Sequence, residues 1–345
     1  MKEQTKISSV KAKIIGVGSF LPGPKIDNKM LAEMISVSEE WIDIFVGTKT
    51  RHLATDIITG AVKYQLVDIG ERAAKAALEC AGIVAKDIDF VVMSTATPDH
   101  LMPATVNNIV DRLGLFGIPT YALQSGCAGA LQALDVASQF ILTGKHRTGL
   151  VIGADICNKF LRLDEDFSKL PSGELVNYVL FGDGAGAVVM SSDSQRQGLQ
   201  IETLLNVCDG LGREPGQQIS WLGKHAGNNA PLILEDYKAI QHSVPEMALQ
   251  TMQQLLQLNA WNFADVAFLM PPQLSGNMTD LIMNHLQIEP ERGINCVSYT
   301  GNTGNALPYL QLEKLWQMSK PGDRSIGVAI ESSKWIRTGM ALQHV

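Results

Sequence analysis

The stretch Tyr121-Ala122-Leu123-Gln124-Ser125-Gly126-Cys127-Ala128-Gly129-Ala130-Leu131-Gln132-Ala133-Leu134-Asp135-Val136-Ala137 decides the reading of this chain. Its first four residues have the apolar content of a buried strand, Gly126 and Gly129 permit a sharp bend, and the spacing from Ala130 onward is helical. Cys127 therefore stands on the first turn of a helix, in an arrangement that resembles a nucleophile elbow. The positive end of the helix dipole favours a thiolate there, so Cys127 is expected to be reactive. Most free cysteines are instead small buried hydrophobes, and that reading is kept for Cys80, Cys157, Cys208 and Cys296.

Outward from this turn, strand-length apolar runs alternate with helical stretches, as in Val67–Ala81 followed by Phe90-Val91-Val92-Met93, a pattern of the α/β class. Sliding the chain against itself by about 175 residues brings three features into coincidence. Asp89–Met93 falls on Asp265–Leu269, Ser125–Gly129 on Thr300–Gly304, and Leu150–Gly153 near Ser325–Val328. Two βαβαβ halves are expected, residues 1–192 carrying Cys127 and residues 193–345 carrying Asn302, with both residues at opposed helix N-termini. Chance alignment of common α/β units is the competing explanation.

With 46% hydrophobic residues and a net charge of -7 without a basic stripe, the chain can fill a large core, and nucleic acid is excluded as a partner. The cysteines are too widely spread for a zinc pattern, and no apolar run of spanning length occurs. A reduced, cytoplasmic setting with no membrane segment, no metal and no cofactor is the expectation.

Five further segments lie in order along nearly the whole chain: Gly16–Pro22, Ser38–Ile42, Gly47–His52, Ser125–Gly129 and Phe181–Ala187. Together they resemble the β-ketoacyl-[acyl-carrier-protein] synthase III family. The resemblance implies a thiolase-like, five-layered αβαβα fold and a homodimer. It also implies an acyl group passed from coenzyme A or acyl-carrier protein onto Cys127. The glycine run Gly182–Gly186 mimics a dinucleotide fingerprint, but Ala187-Val188-Val189-Met190 continues it as a strand, so NAD binding is not expected.

Several positions depart from the family pattern. Asn302 matches a catalytic asparagine, but Pro272, in Met270-Pro271-Pro272-Gln273, stands where the resemblance implies a histidine. Decarboxylating a malonyl thioester builds an enolate oxygen that needs strong donors, and proline has none. Gln273 is the candidate replacement donor, with His100 and His225 as candidate bases. By resemblance, Trp41 and Lys159 line the route of the acyl carrier and Met102 forms a wall of the acyl pocket contributed across a dimer. Ser333 and Lys334, in Ser332-Ser333-Lys334-Trp335, replace a glycine turn that lends an oxyanion-hole N–H. The expected activity is acyl transfer from Cys127 to a carbon, oxygen or nitrogen acceptor in polyketide or fatty-acid-like biosynthesis. The alternatives are a partner subunit of a heteromeric thiolase-fold complex and an ordinary chain-initiating synthase.

Overall fold

A computed structural model describes residues 11–161, 166–220 and 233–345. The first half contains β1 (Lys13–Phe20), β2 (Lys25–Asp27), α1 (Asn28–Ile35), α2 (Glu39–Phe45), β3 (Thr50–His52), α3 (Leu66–Ala81), β4 (Phe90–Ser94) and α4 (Thr105–Arg112). It continues with β5 (Thr120–Leu123), α5 (Gly129–Leu142), β6 (Thr148–Ile156), α6 (Ser172–Leu180) and β7 (Asp183–Ser191). Then come β8 (Leu199–Cys208), β9 (Gln217–Ile219), β10 (Ile233–Glu235), α7 (Tyr237–Asn259), β11 (Val266–Met270), α8 (Gly276–His285), α9 (Val297–Thr300), α10 (Leu307–Met318), β12 (Arg324–Glu331) and β13 (Ile336–His344).

Strand order in the main sheet is β11-β12-β13-β8-β1-β7-β6-β4-β5. Outward from the β8–β1 junction the two sides repeat one plan. The first strand pairs antiparallel with the last, the last antiparallel with the fourth, and the fourth parallel with the second. The third position is β5 on one side and a single bridge from Gly293 to Leu269 on the other. Among the described residues the junction pairs Lys13↔Gln200 and Ile14↔Leu199, with one more bond from the Ile201 N–H to the Ala12 carbonyl, and from this short seam the two halves of the sheet fold to face each other.

Side-chain alternation along each strand then separates the layers. Phe90 and Val92 point inward to α5 and α10, meeting Ala329, Met340 and Leu342 of the opposite half. Val91 and Met93 point outward to α3 and α4, while Leu269, Ile326 and Val328 pack on α7 and α8. The result is the expected α-β-α-β-α stack. The central α5 buries Ala130, Leu131, Ala133, Leu134, Ala137 and Ile141, as a helix enclosed between two sheets requires. The Tyr309 hydroxyl donates to the Ala130 carbonyl at 2.8 Å and ties α10 to α5.

The repeat differs in one detail from its reading in the sequence. The turn equivalent to Gly126–Ala128 is Gly304–Ala306, which runs into α10 as the other runs into α5. Both begin on a glycine of positive φ, 51° at Gly126 and 55° at Gly304. Asn302 lies just before that turn and forms a parallel bridge with Phe181. Thr300–Gly304 contains two glycines, and only the hydrogen bonding shows which of them opens the helix. The run from Asp183 onward is strand β7, buried throughout, in keeping with the exclusion of a dinucleotide loop.

Candidate active site

Cys127 sits in the 3-10 turn that opens α5, where β5 ends and Gly126 reverses the chain. It lines a cavity of about 220 Å³ together with Asp155, Cys157, Phe181, Glu331 and Ser333. A narrower space of about 30 Å³, room for a water or two, also borders Cys127 and is lined by Pro272, Gln273 and Asn302. The sulfur therefore stands between a substrate-sized cavity and a small chamber holding the asparagine. No histidine lines either space among the described residues.

The residue that controls Cys127 is one the sequence reading overlooked. Glu331 ends β12 and is 4% exposed. Its Oε2 accepts the Cys127 N–H at 2.5 Å, its Oε1 accepts the Ser333 N–H at 2.7 Å, and it lines the same cavity as the Cys127 side chain. Burial and the carboxylates of Glu331 and Asp155 push the Cys127 thiol well above its ordinary value. The expectation of a dipole-stabilised thiolate is thus corrected: desolvation and two nearby anions outweigh the partial positive charge of one helix end. A lone acid closing the apolar run Ile326–Ile330 was the available signal, because a strand buried throughout ends on a carboxylate only where donors await it.

Asp155 is buried and accepts bonds from Thr95 Oγ1, the Ala96 N–H, Thr97 Oγ1 and both the backbone and side-chain amides of Asn305. Burial raises its carboxyl above the ordinary range although those bonds oppose the rise. It joins the Cys127 cavity to the Gly304 turn. Asn302 is buried, and its Oδ1 accepts the Gly304 N–H at 3.1 Å. Its amide Nδ2 has no hydrogen-bond partner shown among the described residues, which leaves it as a donor facing the narrow chamber.

The other expected site residues divide. Ser333 lines the Cys127 cavity, whereas Lys334 turns away and its Nζ donates to the Arg213 carbonyl at 2.7 Å. Lys159 does not present a phosphate contact: its half-buried ammonium donates to the carbonyls of Thr97 (2.7 Å) and Pro98, and burial lowers its pKa. Gln273 borders the chamber, but its Nε2 donates to the Ile294 carbonyl at 2.5 Å and its Oε1 accepts the Cys296 and Val297 N–H groups at 2.8 and 2.7 Å. Those bonds orient the amide toward the backbone of 294–297 and not as a donor aimed at substrate.

Trp41 lies on α2, its ring 4.8 Å from that of Phe45, and borders neither space. The α2 segment is joined to the 273–277 loop through Asn277 Nδ2, which donates to the Ile44 carbonyl at 2.8 Å. The α2 segment and the 273–277 loop are therefore neighbours in space. Met102 is 87% exposed on the single chain and borders neither space. His100 is exposed and borders neither space, and His225 lies outside the described residues.

Comparison with known proteins agrees with this geometry. Residues 121–207 match the family model for 3-oxoacyl-[acyl-carrier-protein (ACP)] synthase III. A β-ketoacyl-[acyl-carrier-protein] synthase III of Rickettsia canadensis is 30% identical over 308 residues, covering 89% of this chain and 91% of the relative. Among solved structures, AbyA1, a tetronic acid condensing enzyme, superposes with a TM-score of 0.92 at 43% identity, over 96% of this chain and 99% of that one. The 3-oxoacyl-(acyl carrier protein) synthase III of Pseudomonas aeruginosa PAO1 superposes with a TM-score of 0.81 at 26% identity, over 97% and 98%. The chain accordingly belongs to the β-ketoacyl-[acyl-carrier-protein] synthase III family of thiolase-fold condensing enzymes.

Proposed function

We propose that this condensing enzyme holds an acyl group as a thioester on Cys127 and passes it to an acceptor in polyketide- or fatty-acid-like biosynthesis, with acyl-carrier protein or coenzyme A as the donor. The observation that carries the reading is the place of Cys127, between a cavity of about 220 Å³ and the chamber that holds Asn302. A thioester arm entering the cavity meets the sulfur, and the Asn302 amide is a donor for charge that develops on the acyl oxygen.

Routine malonyl decarboxylation has weaker support. Pro271 and Pro272 border the chamber, and the Gln273 amide is engaged with backbone. Losing one oxyanion donor lowers a rate by roughly a hundredfold to a thousandfold. The 43% identity to a tetronic acid condensing enzyme supports a different acceptor. Tetronic acids are five-membered lactones of an enolised dicarbonyl, so closing such a ring takes an acyl–oxygen bond and an acyl–carbon bond. A hydroxyl-bearing acceptor fits a site with carboxylates and, among the described residues, no histidine.

A second copy of the chain completes the reading as a homodimer. Leu101, Met102 and Phe116 are exposed by 73%, 87% and 98%, and β5 ends the main sheet; large apolar side chains left in water support burial against a partner. The test of the activity is intact-mass analysis after incubation with acyl-carrier-protein and acyl-coenzyme A thioesters. One acyl increment on the wild type and none on Cys127→Ser is expected; an undiminished adduct on the variant defeats the reading.

A further inference from the structure

Glu331 is placed as no structural carboxylate needs to be. It ends a buried strand beside the reacting sulfur, and it occupies the backbone N–H that an acyl oxygen on Cys127 would require. The titratable groups lining the cavity with it are Cys127, Cys157 and Asp155. Asp155 already accepts bonds from Thr95, Ala96, Thr97 and Asn305, and Cys157 leans its thiol on the Asn302 carbonyl at 3.8 Å. Among the described residues, Glu331 is the carboxylate that accepts the Cys127 N–H, and it lines the cavity beside the Cys127 side chain.

We propose that Glu331 is the proton-transfer group of this enzyme, acting as general base toward the Cys127 thiol and then toward the acceptor, and that its protonation opens the oxyanion hole. The inference rests on Cys127 being the acylated residue. In loading, Cys127 Sγ attacks the thioester carbonyl and its proton passes to Glu331. A protonated carboxyl is a poorer acceptor, so it releases the Cys127 N–H to the developing oxyanion. The carbon–sulfur bond of the donor then breaks, and Glu331 returns the proton to the departing thiolate. In transfer, Glu331 takes the proton from the acceptor's O–H or acidic C–H as that atom attacks the acyl carbon. The bond to Cys127 breaks, and Glu331 hands the proton to the Cys127 thiolate, restoring the starting state. No redox partner is needed, and every proton is accounted for.

The arrangement explains how a thiol held in its neutral form can still react. A free thiolate is disfavoured beside two carboxylates, but a carboxylate held next to the cysteine through its N–H is placed to take the proton only as the sulfur attacks. The Ser333 N–H, on the turn where the resemblance implies glycines, helps to hold Glu331 in place.

Glu331→Gln keeps the shape of the side chain and removes the base. Two measurements on the folded full-length variant are expected to move in opposite directions. The thiolate titration of Cys127, followed by ultraviolet absorbance as the difference from Cys127→Ser, shifts to lower pH because an anion is gone. Acylation by acetyl-coenzyme A, followed by intact mass, slows by about a hundredfold or more at neutral pH. If acylation instead accelerates with the thiolate, or both stay at wild-type values, the proposal is overturned. Glu331→Asp, shorter but still a base, is expected to restore part of the acylation rate; no recovery in a folded protein counts against a proton-transfer role. An absence of any adduct on the wild type with an intact thiol titration would strike the acyl-cysteine reading, whereas a normal wild-type adduct with an unaffected Glu331→Gln variant strikes only the role of Glu331.

Discussion

At the scale of single residues, the environment of a sulfur outweighs its position on a helix. The start of α5 offers Cys127 a favourable dipole, worth at most about 2 kcal/mol in partly buried geometry. Burial and the carboxylates of Glu331 and Asp155 act against it and hold the thiol protonated. A brief pulse of iodoacetamide near pH 7, read by peptide mass mapping, is expected to label the exposed Cys80 and Cys208 before Cys127. Because a thiol of raised pKa ionises only as pH climbs, that gap should narrow toward alkaline pH; preferential labelling of Cys127 at pH 7 would contradict the assignment. The candidate residues also show why a residue type alone is a weak guide. Gln273 and Lys159 had suitable donors, but each donor is engaged with backbone carbonyls that no sequence pattern reveals.

At the scale of elements, the strand–turn–helix units do the positioning. Gly126 adopts a φ of 51°, and a Cβ there would stand 1.9 Å from Glu331 Oε2. The glycine is required twice, by the left-handed backbone and by the approach of the carboxylate. Gly126→Ala is expected to lower stability by about 1–3 kcal/mol through backbone strain, and to abolish acylation because Glu331 must leave its place. Denaturant midpoints and intact mass measure the two effects; a stable variant that still acylates would remove Glu331 from its assigned position. A Cβ at the equivalent Gly304 would stand 2.3 Å from Asp155 Oδ2, so each half sets a glycine-opened helix against a buried carboxylate. That symmetry was partly legible in the repeat. Its register was not, because Gly301 and Gly304 are indistinguishable as letters and differ only in which one starts α10.

At the scale of the whole molecule, buried carboxylates make stability depend on pH. Asp183 ties β7 to neighbouring segments by accepting from the Ala54 N–H at 2.7 Å and the Asn158 amide at 3.1 Å, and burial raises its carboxyl to about 6. A carboxyl raised above its unfolded value contributes stability fully at pH below the unfolded pKa and loses it as pH rises through the folded one. From about 4 to 6 this one group therefore lowers the unfolding free energy by about 3 kcal/mol. Relative to wild type, Asp183→Asn should lack that fall, so the difference between the two melting temperatures should change across this window; parallel curves would show that Asp183 does not titrate there. The amino-acid sequence by itself determined the alternation of strands and helices and the glycine-opened turn that carries Cys127, because apolar periodicity and glycine punctuation are local properties. The pairing of Glu331 with Cys127 was decided only by tertiary structure. Glu331 and Cys127 belong to different halves of the chain, and the folding of the sheet at β1–β8 is what brings the end of β12 against the start of α5.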